Sequence, residues 1–102
     1  MGYIDDMENF ERYLDSYGST ITTIGPSVKD PNIIIVRIRI PEYIEYPSIR
    51  GEFSTRYAFD DILEGITDYL HNQAYSKKYT YSVHLLPILG MTFKYKNIPQ
   101  RI

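Results

Sequence analysis

The run from Ile33 to Ile40 constrains the fold of this chain more than any other segment. Ile34, Val36, Ile38 and Ile40 fall on one face of a strand, and Ile33, Ile35, Arg37 and Arg39 on the other. A face made only of branched aliphatics must be buried, whereas a face carrying two arginines must reach water. The run therefore predicts a strand in a sheet covered on one side.

The flanking segments predict what covers it. Asp5 or Asp6 caps a first helix over about residues 6 to 17, with Glu8 at capping-box distance from Asp5, an apolar stripe of Met7, Phe10, Leu14 and Tyr17, and Gly18 as its left-handed stop. Ser19 to Ile24 is β-branched and ends at Gly25-Pro26, so it reads as a short strand, followed by turn residues Lys29 to Asn32. Pro41 ends the central strand or starts the next. Tyr43 to Phe53 reads as a weaker strand, broken by Pro47 and Gly51, at an edge or in a long loop. Ser54 or Thr55 begins a second helix reaching about Ala74, with Phe59, Ile62, Leu63, Ile66 and Leu70 as its stripe. Tyr79, Tyr81, Val83 and Leu85 alternate with polar residues. After Pro87 to Gly90, Met91, Phe93 and Tyr95 do the same, which predicts a closing hairpin. The expected fold is α+β in the order α-β-β-(β)-α-β-β, a mainly antiparallel sheet with two helices on one face, in a single domain over residues 1–102.

At 102 residues and 12.0 kDa the chain has material for one core. Its 43% hydrophobic and 24% charged content is that of a folding protein rather than a disordered one. There is no cysteine, which excludes disulfides, thiolate metal sites and a cysteine nucleophile. The longest aliphatic run, Ile33 to Val36, is far short of the roughly 20 residues of a membrane helix, and no basic-then-apolar leader opens the chain. A soluble protein of the cell interior, without membrane contact and without a cofactor, is expected.

Charge is unevenly distributed. Residues 1–68 hold all 13 acids against 6 Lys and Arg, a net −7, and residues 69–102 hold no acid and 5 basic residues, a net +5. The basic end interleaves tyrosine with cations: Tyr75, Lys77, Lys78, Tyr79 and Tyr81, then Lys94, Tyr95 and Lys96, and Arg101. Lysines that neutralise phosphates beside rings that stack on unpaired bases form a single-strand binding platform. The same residues also fit a plain sheet whose tyrosine phase faces the core, and the two readings differ only in which way that phase points. Arg37 and Arg39 could clamp phosphate or pair with Glu42, Glu45 or Glu52 on a neighbouring strand.

Catalytic signatures are sparse. Glu64, Asp68 and His71 follow an i, i+4, i+7 spacing along one helix face, which is a weak metal-ligand candidate and equally an ordinary solvated face. Neither Glu-x-Lys nor Asp-x-Lys occurs, against a restriction-type nuclease centre, and no Gly-Lys phosphate loop or Gly-x-Ser-x-Gly elbow is present. The element order resembles a double-stranded-RNA-binding domain. However, that family opens its second helix with a lysine cluster, and this chain has Phe59-Asp60-Asp61 there, which would repel a phosphate backbone.

The aliphatics are skewed to 15 Ile against 3 Val and 2 Ala, and the aromatics to 11 Tyr against 4 Phe and no Trp. With its length, its lack of cysteine and segments such as Tyr3-Ile4-Asp5-Asp6 and Ile33-Ile34-Ile35-Val36, the chain resembles small proteins of archaeal filamentous viruses, those of Acidianus filamentous virus 1 among them. The resemblance is one of composition over the whole chain. It implies a virus-encoded protein acting inside a host cell and assigns no site residue.

The expectation that follows is a non-enzymatic protein–protein interaction module, homodimeric, with a viral or host protein as a further possible partner. Ile33, Ile35, Arg37 and Arg39, together with a free sheet edge, would form its interface. The alternative is a nucleic-acid-binding protein that uses Lys77, Lys78, Lys94, Lys96 and Arg101 with Tyr75, Tyr79, Tyr81 and Tyr95.

Overall fold

The computed structural model of the chain describes residues 3–4, 6–47, 53–72 and 79–95. In chain order the elements are α1 (Met7–Asp15), β1 (Thr20–Pro26), β2 (Ile33–Pro47), β3 (Phe53–Tyr57), α2 (Ala58–Asn72) and β4 (Thr80–Lys94). The fold is α+β. Its sheet is mixed: β1 and β3 run antiparallel to β2, and β4 runs parallel to it.

Strand β2 is the spine. Ile34 to Arg39 pair with β1, Tyr43 to Pro47 pair with β3, and β4 pairs along both stretches. Since a strand has only two edges, β1 and β3 lie end to end along one edge of β2 and β4 occupies the other. A parallel neighbour needs a crossover connection, and α2 supplies it.

Three expectations are corrected in detail. The central strand does not stop at Pro41 but continues to Pro47. Up to Pro41 the odd residues of β2 turn their backbone toward β1, as the Ser27 N–H bond to the Ile33 carbonyl demonstrates; past the bulge the phase reverses, and the Glu45 carbonyl turns toward β4. Pro41 therefore falls between the last β1 pair, Arg39 with Thr20, and the first β3 pair, Tyr43 with Tyr57, where no partner needs an N–H. Ser54 to Tyr57 belong with Phe53 to β3 rather than to the start of a helix, because the far half of β2 offers that segment a pairing edge. The closing segments are one strand instead of a hairpin. β2 advances from Pro41 to Tyr43 while β4 advances from Ile88 to Thr92, a bulge in which Gly90 takes φ 78° and donates its N–H to Glu42 Oε1 at 2.7 Å. Beyond it β4 rejoins β2, with Phe93 opposite Ile44 and the Tyr95 N–H on the Glu45 carbonyl at 2.9 Å.

Helix α1 begins and ends for local reasons. Asp6 Oδ1 accepts the Asn9 N–H at 3.1 Å and Oδ2 accepts the Asn9 side-chain amide at 2.7 Å, so Asn9 closes the cap while Glu8 pairs with Arg12 at 3.3 Å. At the other end the Ser19 N–H bonds the Leu14 carbonyl and the Gly18 N–H that of Asp15, each at 3.0 Å, with Gly18 at φ 67°. A Cβ on Gly18 would also lie 2.5 Å from Phe93 Cδ1, so β4 packs directly under this turn.

The even face of β2, from Ile34 to Ile44, meets Phe10 and Leu14 of α1 and Ile62, Ile66 and Leu70 of α2, all buried. Each such side chain contributes about 1.5–3 kcal/mol by leaving water. Both helices cover this one face. Tyr69 of α2 stacks against Phe10 at 5.7 Å and Tyr13 at 4.5 Å, and Tyr95 stacks on Tyr17 at 5.4 Å, so an aromatic seam joins the helices to the end of β4. No helix is long and apolar enough to cross a membrane among the described residues.

Candidate self-association surface

Residues opposite each other in a sheet point to the same side, so the register gives the layout of the uncovered face. Gly25, Ile35 and Ser82 form one row, Thr23, Arg37 and His84 the next, and Thr20, Arg39 and Leu86 the third; Ile33 lies beside Thr80. Ile33 and Ile35 are half-buried and Arg37 and Arg39 exposed, so all four interface candidates read from the sequence share this face. Arg37 Nη1 approaches Thr23 Oγ1 at 3.5 Å, and no ion pair joins Arg37 or Arg39 to a carboxylate among the described residues. Glu42 is committed to the Gly90 N–H, Glu45 faces Lys94, and Glu52 lies outside the described residues.

The second element of the surface is the outer edge of β4. The Thr80 N–H bonds the Asn32 carbonyl at 3.0 Å, which turns the backbone of Thr80, Ser82, His84 and Leu86 toward β2. By alternation Val83, Leu85 and Pro87 turn theirs outward, where no strand pairs among the described residues. Natural edges are blunted by charge, by proline or by bulges. Here Pro87 and the bulge at Leu89 to Met91 do that for the second half, whereas the first half has no such guard. From Thr80 to Phe93 there is no Asp, Glu, Lys or Arg, and Leu86 (42% exposed), Leu89 (79%) and Met91 (39%) stand out to solvent.

This edge was not singled out residue by residue in the sequence. Its readable signal was the charge-free stretch; what hid it was the proline and glycine that suggested a turn. The tyrosine phase of the basic end faces the core: Tyr81 is 7% exposed and donates to the Tyr3 carbonyl at 2.7 Å, Tyr79 meets Tyr3 edge-on at 5.6 Å, and Tyr95 is packed between Tyr17 and Tyr46. Lys94 is exposed, and Tyr75, Lys77, Lys78, Lys96 and Arg101 lie outside the described residues.

On α2, Glu64, Asp68 and His71 are exposed, and no group of three or more His, Asp or Glu close enough to hold a metal ion occurs among the described residues. His84 Nε2 lies 3.0 Å from Ser82 Oγ on the open face. An open groove of about 430 Å³ runs between α1 and β1, walled by Glu8, Glu11, Arg12 and Asp15, with Leu14 and Ile21 among its lining. Arg12 is held by Glu8 and by Asn9 Oδ1 at 3.0 Å, and the groove contains no histidine.

No family model matches the chain, and neither a curated protein nor a solved structure matches it.

Proposed function

We propose that this chain is a non-enzymatic protein–protein interaction module that associates with a second copy of itself. The observation that carries the reading is the stretch of β4 around Val83 and Leu85, a charge-free edge that no strand pairs among the described residues, beside the half-buried Ile33 and Ile35 face. A strand edge offers a row of N–H and C=O groups already spaced for another strand, and apolar neighbours make water a poor competitor. The proposal takes with it a virus-encoded origin and a location inside the host cell, supported by composition alone. The nucleic-acid alternative loses support, since the rings of Tyr79, Tyr81 and Tyr95 are engaged within the chain and cannot also stack on bases. Light scattering across micromolar concentrations tests the proposal. It predicts a species of twice 12.0 kDa that dissociates on dilution, and a mass of 12.0 kDa at every concentration would refute it.

A further inference from the structure

We propose that the open face of the sheet binds the phosphate backbone of a nucleic acid, with Arg37 and Arg39 neutralising phosphates and Thr20, Thr23 and His84 as the polar groups beside them. This goes beyond the self-association reading, does not depend on it, and uses residues separate from the basic end of the chain.

The face is assembled by register. With β1 on one side of β2 and β4 on the other, each row sets three residues from three strands side by side, about 4.8 Å apart. One row is Thr23, Arg37 and His84, and the next is Thr20, Arg39 and Leu86. The two arginines therefore stand about 7 Å apart along β2, each with a threonine on its β1 side. Thr20, Thr23, Arg37, Arg39 and His84 are all exposed. Arg37 Nη1 already approaches Thr23 Oγ1 at 3.5 Å, so a guanidinium and a hydroxyl reach the same place above the sheet.

Charge determines what can cover this face. The chain has 13 acids against 11 Lys and Arg, yet among the described residues no carboxylate pairs with Arg37 or Arg39, whereas Arg12 on α1 has Glu8 at 3.3 Å. The three paired stretches, Thr20 to Pro26, Ile33 to Arg39 and Thr80 to Leu86, contain no Asp or Glu, and their only Lys or Arg residues are these two arginines. Like charges held side by side repel, and an anion bound to both relieves the repulsion. A second copy laid face to face would set the arginines against their own kind, so the occupant of this face is anionic.

Shape and chemistry narrow the anion. Small ligands are held in concave sites, and the groove between α1 and β1 is lined by neither arginine nor by His84. A sheet face with cations spaced along one strand suits an extended polyanion instead. Arginines flanked by hydroxyls are the groups that position a phosphate backbone. The rows contain no Tyr or Phe on which a base would stack, so the contacts are to phosphate and independent of sequence.

Fluorescence anisotropy with a labelled duplex DNA of mixed sequence, titrated over a series of low salt concentrations, tests the proposal. Neutralising two phosphates gives a slope of log affinity on log salt of about −1.8, or about 60-fold weaker binding for a tenfold rise in salt, whereas the five cations of the basic end would give about −4.5. Arg37→Gln/Arg39→Gln should weaken binding at low salt about tenfold or more and flatten the salt dependence, while Arg37→Lys/Arg39→Lys keeps the slope. Arg12→Gln, which removes a cation on the helix-covered side, should leave binding within about twofold. The slope is read on the unaltered protein, so the test stands if the glutamine pair folds poorly. No binding at low salt, a slope near the steeper value, or binding that the glutamine pair leaves unchanged would each overturn the proposal. Displacement of the duplex by poly-glutamate at equal charge would overturn the nucleic-acid assignment in favour of an acidic protein.

Discussion

Tyr13 illustrates how a phenol becomes a structural group. It lies against the Tyr69 ring at 4.5 Å and meets Tyr17 edge-on at 5.6 Å, and Tyr17 in turn stacks on Tyr95 at 5.4 Å. Burial, followed by the neighbouring Tyr17, pushes its ionisation from 10.0 up to about 12. Tyr17 is raised as well, by burial first and then by Tyr95. The folded state thus holds the proton more tightly than the unfolded chain. The stabilisation is fully present below pH 10 and is lost as the pH climbs from 10 toward 12. Phenolate absorbance in an alkaline titration should accordingly contain a late component that Tyr13→Phe removes; identical curves for the two proteins would mean Tyr13 is not held in this seam. The excess of tyrosine was visible in the sequence, but which tyrosines stack was not, because Tyr13, Tyr69 and Tyr95 come together only when both helices and β4 share one face.

At the scale of elements, β4 has two different backbone sides, and proline can tell them apart. Ser82 turns its N–H toward β2, whereas Val83 turns its N–H outward. Ser82→Pro removes a ladder donor and leaves a β2 carbonyl unpaired, at about 1–3 kcal/mol, or roughly 5–15 °C in a domain of this size. Val83→Pro removes no ladder bond among the described residues. Thermal melts of the dilute proteins should place Ser82→Pro well below Val83→Pro, and the reverse order would mean the two sides are assigned the wrong way round. The elements that were legible were those specified locally: α1 by Asp6 and Gly18, and the first half of β2 by Ile34, Val36, Ile38 and Ile40. The misread ones depend on partners distant in sequence. Pro41 looks like a strand end until the gap between β1 and β3 is known. Ser54 to Tyr57 look like a helix start until β2 offers its far edge, and Pro87 to Gly90 look like a turn until Phe93 is found beneath Gly18.

For the whole molecule, both helices bury their apolar stripes on one face of the sheet, and among the described residues no strand pairs with the outer edge of β4. The open face was legible, since Ile33, Ile35, Arg37 and Arg39 follow from alternation alone. The outward half of β4 was not, because edge status is a property of strand order, which no local pattern of Tyr81, Val83 or Leu85 encodes. The direct test of the central claim is the hydrogen exchange of the Val83 and Leu85 backbone amides as a function of protein concentration. The account predicts that both are protected at concentrations that populate the dimer and exchange rapidly on dilution, while the inward amides of Ser82 and His84 stay protected throughout. Rapid exchange of Val83 and Leu85 at every concentration, beside protected Ser82 and His84, would contradict it.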